Sequence, residues 1–241
     1  MFDIRSNEPE RIDTGDYTPE EYKRFLKEIA FINRYLGDSR ALKKTLLTEI
    51  EEKDLRDFSV LDVGCGSGEL LRMIAEFARE AGRKAALTGV DLNSISSATT
   101  QSESYEFPEI ASVQGNALGL PFADNSFDYA ISSLFFHHLT DEQIIIALRE
   151  MSRVARRGII VIDLNRDPIA YIGYKIFCVV FRISELVRHD GSLSIKKGFR
   201  TDDLERIATR AGLAAAKVNH VSPGRVILMS NGGESRRKPD R

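Results

Sequence analysis

The sequence lacks tryptophan, has only two cysteines and contains no long apolar run free of charge. Cys65 and Cys178 are too few for the disulfide framework that stabilises small secreted domains. The longest apolar stretch, 169–181, covers 13 residues and includes Lys175, so it is too short for a transmembrane helix. The first 16 residues are acidic and polar, without the basic and apolar parts of a signal peptide. We therefore expect a cytoplasmic protein with no membrane span.

The chain also lacks an excess of charge of either sign. Its 241 residues include 34 Lys and Arg and 36 Asp and Glu, which gives a formal net charge of -2. Nucleic-acid scaffolds rely on a surplus of basic side chains, so this balance argues against a nucleic-acid partner. With 42% hydrophobic residues, the chain can fill the core of one α/β domain. We expect a monomer or a homodimer.

Strand-like and helical patterns alternate through the middle of the chain. Continuous apolar runs such as 158–164 are typical of strands that are buried on both faces, and apolar repeats at helical spacing separate them. This alternation predicts a Rossmann-like α/β fold, with a seven-stranded, mostly parallel sheet, helices on both faces and an antiparallel last strand. The predicted strands are 59–63, 86–92, 110–114, 129–134, 158–164, 214–221 and 226–230.

The sequence predicts three parts of different character. Residues 1–55 form an N-terminal arm and a helical cap. Residues 56–231 form the α/β domain, with an insertion at 166–200 that covers the substrate. Residues 232–241 are poor in apolar side chains and form a disordered tail.

Local signals predict where several elements begin and end. Thr18 and Glu21 have the spacing of a capping box that starts a helix, and Gly37 is suited to end it. A further helix is predicted over 168–186. The polar triplet 189–191 (His-Asp-Gly) is either an orienting histidine–aspartate couple or a turn, and we favour the turn.

A glycine-rich segment gives the strongest functional signal. Gly64, Gly66 and Gly68 follow the first strand and open a helix, where glycine lets the backbone approach a ligand closely. Asp91 follows the second strand. A carboxylate at that strand end is placed to accept both hydroxyl groups of a ribose.

The spacing of these glycines argues against a dinucleotide. A pyrophosphate site has the pattern G-x-G-x-x-G, whereas this loop is G-x-G-x-G with Glu69 next. Asp62 and Glu69 also bring negative charge, which disfavours a phosphate in a partly desolvated pocket. A ligand with a ribose, a cation and no phosphate fits better. S-adenosylmethionine has this character, and Asp62 is placed to attract its amino group.

The motifs in order resemble a known enzyme class. The runs VLDVGCGSGEL, GVDLN, GNALGLPFADNSFDYAISSLFFHHL and RRGIIVIDL span about 105 residues and are similar to those of class I S-adenosylmethionine-dependent methyltransferases. The similarity is greatest to small-molecule enzymes of the ubiquinone/menaquinone-biosynthesis type, and the N-terminal segment is similar to a subgroup associated with polyketide or quinone tailoring. The resemblance implies S-adenosyl-L-methionine as cofactor and S-adenosyl-L-homocysteine as its product.

The resemblance also implies roles for particular residues. The backbone at Gly64 and Gly66 passes under the cofactor, and Cys65 between them contributes backbone only. Asp91 binds the ribose, and Leu92 is the apolar residue beside the adenine.

Other cofactor residues follow the family pattern less closely. Asn116 and Ala117 stand where the family usually has Asp-Ala, and the oxygen of Asn116 can accept the same hydrogen bond without the charge. Ser132 and Ser133 end the fourth strand near the methionine part of the cofactor. Arg34 either pairs with the methionine carboxylate or lies solvated on the surface.

Two neighbouring histidines follow the fourth strand. His137 and His138 are candidates for a general base because imidazole titrates near neutrality, and we prefer His138. A structural, hydrogen-bonded pair is the alternative. For the apolar residues within 169–181 we prefer a mixed role as pocket wall and core, with a membrane contact as a third and less favoured interpretation. The sequence shows no His/Cys cluster at metal-ligand spacing, so no metal site is predicted.

Together these features predict methyl transfer to a small aromatic or polyketide-like acceptor, most favourably at oxygen. Carbon methylation of a quinol ring is the alternative within the same class. A regulator that binds S-adenosylmethionine without chemistry is an alternative of another class. A nucleic-acid modifier is a third class, and the acidic balance and missing base-site motifs count against it.

Overall fold

In the computed structural model, the described residues are 2–36, 38–213, 215–222 and 224–231. Their strands form one seven-stranded sheet of order β3-β2-β1-β4-β5-β7-β6. The first five strands along the chain pair in parallel, and β7 runs antiparallel between β5 and β6. The predicted Rossmann-like fold is thereby confirmed. The strands are β1 Asp57–Val63, β2 Lys84–Asp91, β3 Ile110–Gln114, β4 Phe127–Ser133, β5 Ala155–Leu164, β6 Lys217–Val221 and β7 Arg225–Asn231.

The helices lie on both faces of the sheet and over one of its edges. A π-helical turn, Lys43–Leu47, joins α3 to α4, and a 3₁₀ turn, Phe136–His138, follows β4. Over the described residues the α-helices are α1 Arg11–Thr14, α2 Pro19–Leu36, α3 Asp38–Leu42, α4 Thr48–Glu52, α5 Glu69–Glu80, α6 Ser94–Glu103, α7 Asp141–Val154, α8 Pro168–Val180, α9 Glu185–Lys197 and α10 Thr201–Arg210.

Alternate residues of the central strands enter two separate cores. Leu61 of β1 packs in the core that α7 and α10 cover, whereas Val60 packs in the core that α5 and the α3–α4 segment cover. In β5, Ile159 packs in the first of these cores and Ile160 in the second. Successive strand side chains point to opposite faces, so strands covered on both faces become apolar throughout. This explains why the sequence showed continuous apolar runs.

The strand order reverses at β1, which places a crevice at the carboxyl ends of β1 and its neighbours. A third apolar cluster joins α2, α8 and α9 beside this edge and includes Phe25, Tyr174 and Val187. The predicted boundaries of the cap at 1–55 and of the insertion at 166–200 stay predictions. The predicted tail, 232–241, lies outside the described residues.

The helix start at Thr18 is as predicted. Its hydroxyl accepts from Glu21 N at 3.2 Å, and the Glu21 carboxylate accepts from Thr18 N at 2.8 Å, which completes a capping box. Gly37, the predicted end of this helix, lies outside the described residues.

The predicted helix 168–186 is two helices, and the predicted turn at 189–191 is wrong. The first helix ends at Val180, near Arg182 with its positive φ of 52°, and residues 189–191 lie inside α9. Gly191 serves another purpose there, because a Cβ at this position would collide with the hydroxyl of Tyr174. The glycine permits close approach of α8 and α9 rather than a turn.

Candidate cofactor and acceptor site

A cavity of about 1930 Å³ opens at the carboxyl edge of the sheet. Residues that follow β1, β2, β4 and β5 form its floor, and α2 and residues 3–13 of the N-terminal arm form part of its wall. The cavity therefore joins the glycine turn to the histidine pair.

The glycine turn after β1 is fixed by backbone hydrogen bonds. Gly64 N and Cys65 N donate to Val90 O at 2.8 and 3.2 Å. Gly64 and Gly66 have φ of 77° and 56°, in the left-handed region that favours glycine. Among the described residues, a Cβ on Gly66 would meet only a methyl group of Leu26 within 4 Å, at 3.9 Å. The absent side chain thus leaves room for a ligand against the backbone.

Asp91, at the end of β2, is oriented by two backbone donors. One carboxylate oxygen accepts from Gly66 N at 3.0 Å and the other from Asn93 N at 2.8 Å. Burial raises the pKa of Asp91, although these two hydrogen bonds act in the opposite direction. Each carboxylate oxygen can accept a second hydrogen bond, so both retain capacity for ligand hydroxyl groups.

Asp62 is a buried acid whose charge is not compensated. It lines the cavity, is 2% exposed, and its Oδ1 has no hydrogen-bond partner among the described residues. Burial and the nearby charge of Asp91 raise its pKa to about 7. A cationic group bound in the cavity would favour the ionised form of this carboxyl.

The residues predicted to surround the adenine lie at one end of the cavity. Leu92 is 67% exposed at the rim, and Ala117 is buried. Asn116 also lines the cavity, but its side-chain oxygen already accepts from Leu118 N at 2.9 Å. The second lone pair of that oxygen remains for a ligand donor.

The two serines at the end of β4 have different surroundings. Ser133 lines the cavity, and its hydroxyl lies 3.4 Å from the carboxylate of Asp38. The Ser132 hydroxyl donates to Val63 O at 2.8 Å, which connects β4 to β1. Ser132 is not among the described residues that line the cavity. The side chain of Arg34 lies outside the described residues, so its role stays a prediction.

Cys65 has a packing role in the turn. Its side chain is buried against Gly89, where a Cβ would lie 2.6 Å from the sulfur. Burial and the charge of Asp62 raise the pKa of the thiol. Because the thiolate is the reactive form, we expect an unreactive cysteine that contributes backbone to the site.

His137 is paired with a buried acid at the end of β5. Its Nδ1 lies 2.7 Å from Asp163 Oδ1, and its backbone N donates to Asp163 Oδ2 at 3.2 Å. Although burial acts to raise the pKa of Asp163, the neighbouring His137 lowers it overall. With Nδ1 bound to this carboxylate, Nε2 of His137 is the ring nitrogen left for another partner, and Glu10 Oε1 lies 4.0 Å from it.

His138 is paired with the N-terminal arm. Its Nδ1 lies 2.8 Å from Asp13 Oδ1 and 3.8 Å from Glu10 Oε2. Burial acts to lower the pKa of His138, but these two carboxylates outweigh it and raise the pKa above 6.5. Glu10 is 1% exposed, so the arm brings an acid deep into the site.

A lysine compensates part of this negative charge. Lys197 Nζ lies 3.2 Å from Glu10 Oε1 and 3.0 Å from Asp13 Oδ2, and the Lys197 side chain is 7% exposed. We call Glu10, Asp13, His137, His138, Asp163 and Lys197 the histidine–carboxylate cluster.

Part of this cluster has metal-ligand geometry. Glu10, His137 and His138 bring potential ligand atoms within 4.8 Å of one another. The ammonium group of Lys197 already lies beside Glu10, where an ion would add a second positive charge. The prediction that the site needs no metal stays a prediction.

Sequence reasoning missed Glu10, Asp13 and Lys197. The arm that carries the two acids is fixed by Asp190, whose carboxylate accepts from Arg11 N at 3.2 Å and from Ile12 N at 3.1 Å. These partners are 178 or more residues apart in the chain. No local pattern marks such a contact.

A mostly parallel sheet with a glycine turn and a strand-end acid at its switch point is typical of Rossmann-like nucleoside-binding proteins. Residues 60–158 match the family model described as a methyltransferase domain. An Enterobacter protein named ubiquinone/menaquinone biosynthesis C-methyltransferase UbiE is 30% identical over 189 residues, 72% of this chain and 73% of the relative. A Bacillus licheniformis demethylmenaquinone methyltransferase is 34% identical over 127 residues, 52% of each chain. This chain thus spans about half the length of that relative.

Solved structures share the fold. A methyltransferase dependent on S-adenosylmethionine from Aquifex aeolicus has a TM-score of 0.61 and 17% identity, and the match covers 89% of this chain and 98% of the other. Human N-acetylserotonin methyltransferase, in complex with S-adenosylmethionine, has a TM-score of 0.62 and 16% identity, over 90% and 57% of the two chains. The chain belongs to the class I S-adenosylmethionine-dependent methyltransferases.

Within the described residues, none of the helices combines the length and the apolar character that crossing a membrane requires.

Proposed function

We propose that this protein transfers a methyl group from S-adenosylmethionine to a small, hydroxylated aromatic acceptor. The observation that supports this proposal is a single cavity lined by both Asp62 and Asp91 at one end and the histidine pair at the other. An adenosine ligand and an acceptor can share this space. The histidines then face the acceptor.

The residues at the first end fit the cofactor. Asp91 keeps acceptor capacity for two ribose hydroxyl groups, and Gly66 leaves backbone accessible. The unpartnered oxygen of Asp62 suits the ammonium group of the methionine moiety. When bound, the cofactor supplies a methyl group that is already activated by a cationic sulfur.

The chain's own residues position the acceptor and remove its proton. We assign His138 as the base, with Nε2 as the accepting atom, because Nδ1 is engaged by Asp13. Asp13 and Glu10 stabilise the imidazolium that forms. His137, oriented by Asp163, is placed to donate to or accept from the same hydroxyl group.

Exclusion of water is the other contribution of the fold. The cavity wall includes Phe25, Leu26, Ile29 and Phe135, which favour an apolar ring. Orienting two reactants in such a site can contribute up to ~7–11 kcal/mol to the rate. A planar aromatic acceptor fits these demands.

Carbon methylation of the ring is the first candidate for the methylated atom. The relatives in Enterobacter and Bacillus licheniformis carry the names of a C-methyltransferase of quinone biosynthesis and a demethylmenaquinone methyltransferase. Removing a proton from a ring hydroxyl group increases the electron density of the ring carbons beside it. The same base therefore assists attack by carbon, with S-adenosylhomocysteine as the leaving group. The methylated carbon then loses its proton to water, and the ring oxygen regains a proton from the His138 imidazolium.

Oxygen methylation is the second candidate. The two histidine–carboxylate pairs at 2.7 and 2.8 Å are suited to bind a deprotonated hydroxyl group, whose oxygen can itself attack. The two candidates differ in the product, because only carbon methylation leaves every hydroxyl group free to titrate.

The test is transfer of labelled methyl from S-adenosylmethionine to a panel of quinols, phenols and enols, with NMR of each product. We expect a methylated ring compound from the native protein and from the control Asp57→Asn, whose side chain is exposed at the start of β1. Cofactor binding without transfer to any acceptor would contradict catalysis and favour a regulator.

A further inference from the structure

One face of α8 is apolar and exposed to solvent. Ile172, Ile176, Val179 and Val180 are 58%, 60%, 71% and 65% exposed. Their spacing of four, three and one residues places them along a single side of the helix. We call these four residues the α8 surface.

The opposite side of the same helix is already buried. Tyr174 and Cys178 pack in the cluster formed with α2 and α9. A surface helix of a protein surrounded by water normally has a polar outer face, as α10 does with Glu205, Arg206 and Thr209. The α8 surface therefore exposes apolar area for which the protein's own core gives no reason.

Basic side chains border the α8 surface. Lys175 lies within α8 and Arg182 directly after it, and both are exposed. On α2, Phe31 contacts Phe181, with ring centroids 5.5 Å apart. Lys27 is exposed one turn before Phe31 on the same side of α2.

Acidic residues near this border are fewer or already bonded. Glu185 is exposed at the start of α9. Glu28 is engaged by Ser184, with Oγ at 2.6 Å, and by Arg24 at 2.8 Å. Exposed Glu8 lines a small cavity together with Lys175 and Val179, but Arg188 and Lys196 line the same cavity. Basic side chains therefore remain the majority along this border.

The apolar face also continues into the cavity. Ile169 and Gly173 lie in the same helix, are exposed, and line the cavity. A molecule at the α8 surface is therefore next to the entrance of the site.

We propose that the α8 surface docks on the surface of an anionic lipid bilayer, with its aliphatic side chains at the boundary between headgroups and acyl chains. An apolar helix face with a basic border is typical of such interfacial binding. A second copy of this chain is disfavoured as the occupant, because a symmetric contact would bring the two basic borders together. The entrance beside α8 then admits acceptors that partition into the bilayer, and this last step rests on the proposed function.

Vesicle sedimentation tests the docking directly. We expect the full chain to bind vesicles that contain phosphatidylglycerol more tightly than vesicles of phosphatidylcholine alone. The triple variant Ile172→Ser, Ile176→Ser, Val179→Ser should bind about tenfold more weakly or worse. The double variant Lys27→Glu, Lys175→Glu should lose the preference for phosphatidylglycerol.

Matched controls come from other surfaces of the molecule. Ile146 on α7 is 42% exposed, and Lys84 is exposed at the start of β2. Ile146→Ser and Lys84→Glu should bind vesicles like the native protein. Equal binding by the test and control variants would overturn the proposal.

A second measurement does not depend on serine variants that fold poorly. The sequence has no tryptophan, so a single tryptophan introduced as Val180→Trp reports only its own position. We expect brominated lipids to quench its emission, while the emission of Ile146→Trp stays unchanged. Unquenched emission, or a dimer without lipid that the triple variant abolishes, would contradict membrane docking. Vesicle binding by a protein that transfers no methyl group would leave the docking intact and refute only the proposed function.

Discussion

His138 Nδ1 lies 2.8 Å from the carboxylate of Asp13, although 125 residues separate the two in the chain. The N-terminal arm therefore contributes side chains to the histidine end of the cavity and is more than a cover. Asp13 binds both His138 and Lys197. The proton affinity of the proposed base is set by a segment outside the α/β sheet.

Asp13→Asn should shift the pH dependence of methyl transfer. His138 accepts a proton only when it is neutral, so the rate should rise with pH through its pKa, which Glu10 and Asp13 raise above 6.5 against the opposing effect of burial. Removing the charge of Asp13 lowers that pKa, and the rise in rate should move to lower pH. The measurement is kcat against pH. The control is Asp16→Asn, which changes a side chain on the same arm that is 72% exposed. An unshifted profile for Asp13→Asn would contradict the pairing of Asp13 with His138.

His138→Ala should reduce kcat by about 100-fold or more, which is the usual contribution of a general base. Cofactor affinity should be unchanged, because His138 belongs to the acceptor end. The measurements are steady-state kinetics and calorimetry on the same preparation. Unchanged turnover would transfer the role to His137 or show that the acceptor ionises without a base.

Asp62→Asn should stabilise the cofactor-free protein at alkaline pH. Burial and the charge of Asp91 raise the pKa of Asp62 from 3.8 to about 7. Between these two pH values the unfolded chain has lost the proton and the folded protein still holds it. The free energy of unfolding therefore falls as pH rises through this range. The cost is on the order of 4 kcal/mol above pH 7. Urea unfolding at several pH values measures it. A variant less stable than the native protein at every pH would contradict the uncompensated charge.

The same substitution should weaken cofactor binding. Without an ionised carboxyl at position 62, the methionine ammonium group loses its partner. Native binding should strengthen as pH rises through about 7, whereas binding by Asp62→Asn should not. Calorimetry in buffers of different ionisation enthalpy should detect the proton that native Asp62 releases on binding.

A chelator should leave methyl transfer unchanged. Glu10, His137 and His138 have the proximity that a metal ion requires, but Lys197 supplies a positive charge at 3.2 Å from Glu10. The measurement is turnover after dialysis against EDTA. Loss of turnover that a divalent ion restores would show that this cluster is a metal centre.

The geometry of the candidate cofactor end was predictable because its residues are local. Gly64, Gly66 and Asp91 belong to short motifs at the ends of adjacent strands, and parallel strands bring such ends together. The candidate acceptor end was only partly predictable. The histidines follow a strand and were candidates from the sequence alone, but Glu10 arrives from an arm whose sequence shows no core pattern.

The fold was predictable for a related reason. Strands buried on both faces appear as continuous apolar runs, and the helix starts carry capping signals such as Thr18. Gly191 was misinterpreted because glycine serves both turns and close helix contacts, and only the position of Tyr174 distinguishes the two uses.

The central claim is that a cationic nucleoside without phosphate binds in the cavity against the turn at Gly66 and the carboxylate of Asp91, which are themselves hydrogen-bonded at 3.0 Å. Titration calorimetry of S-adenosylmethionine and of NAD, with the native protein and with Asp91→Ala, tests it most directly. We predict that only S-adenosylmethionine binds the native protein, and that Asp91→Ala loses roughly 100-fold in affinity or more through two charge-assisted hydrogen bonds. Equal affinity of the variant, or tighter binding of NAD, would contradict the account.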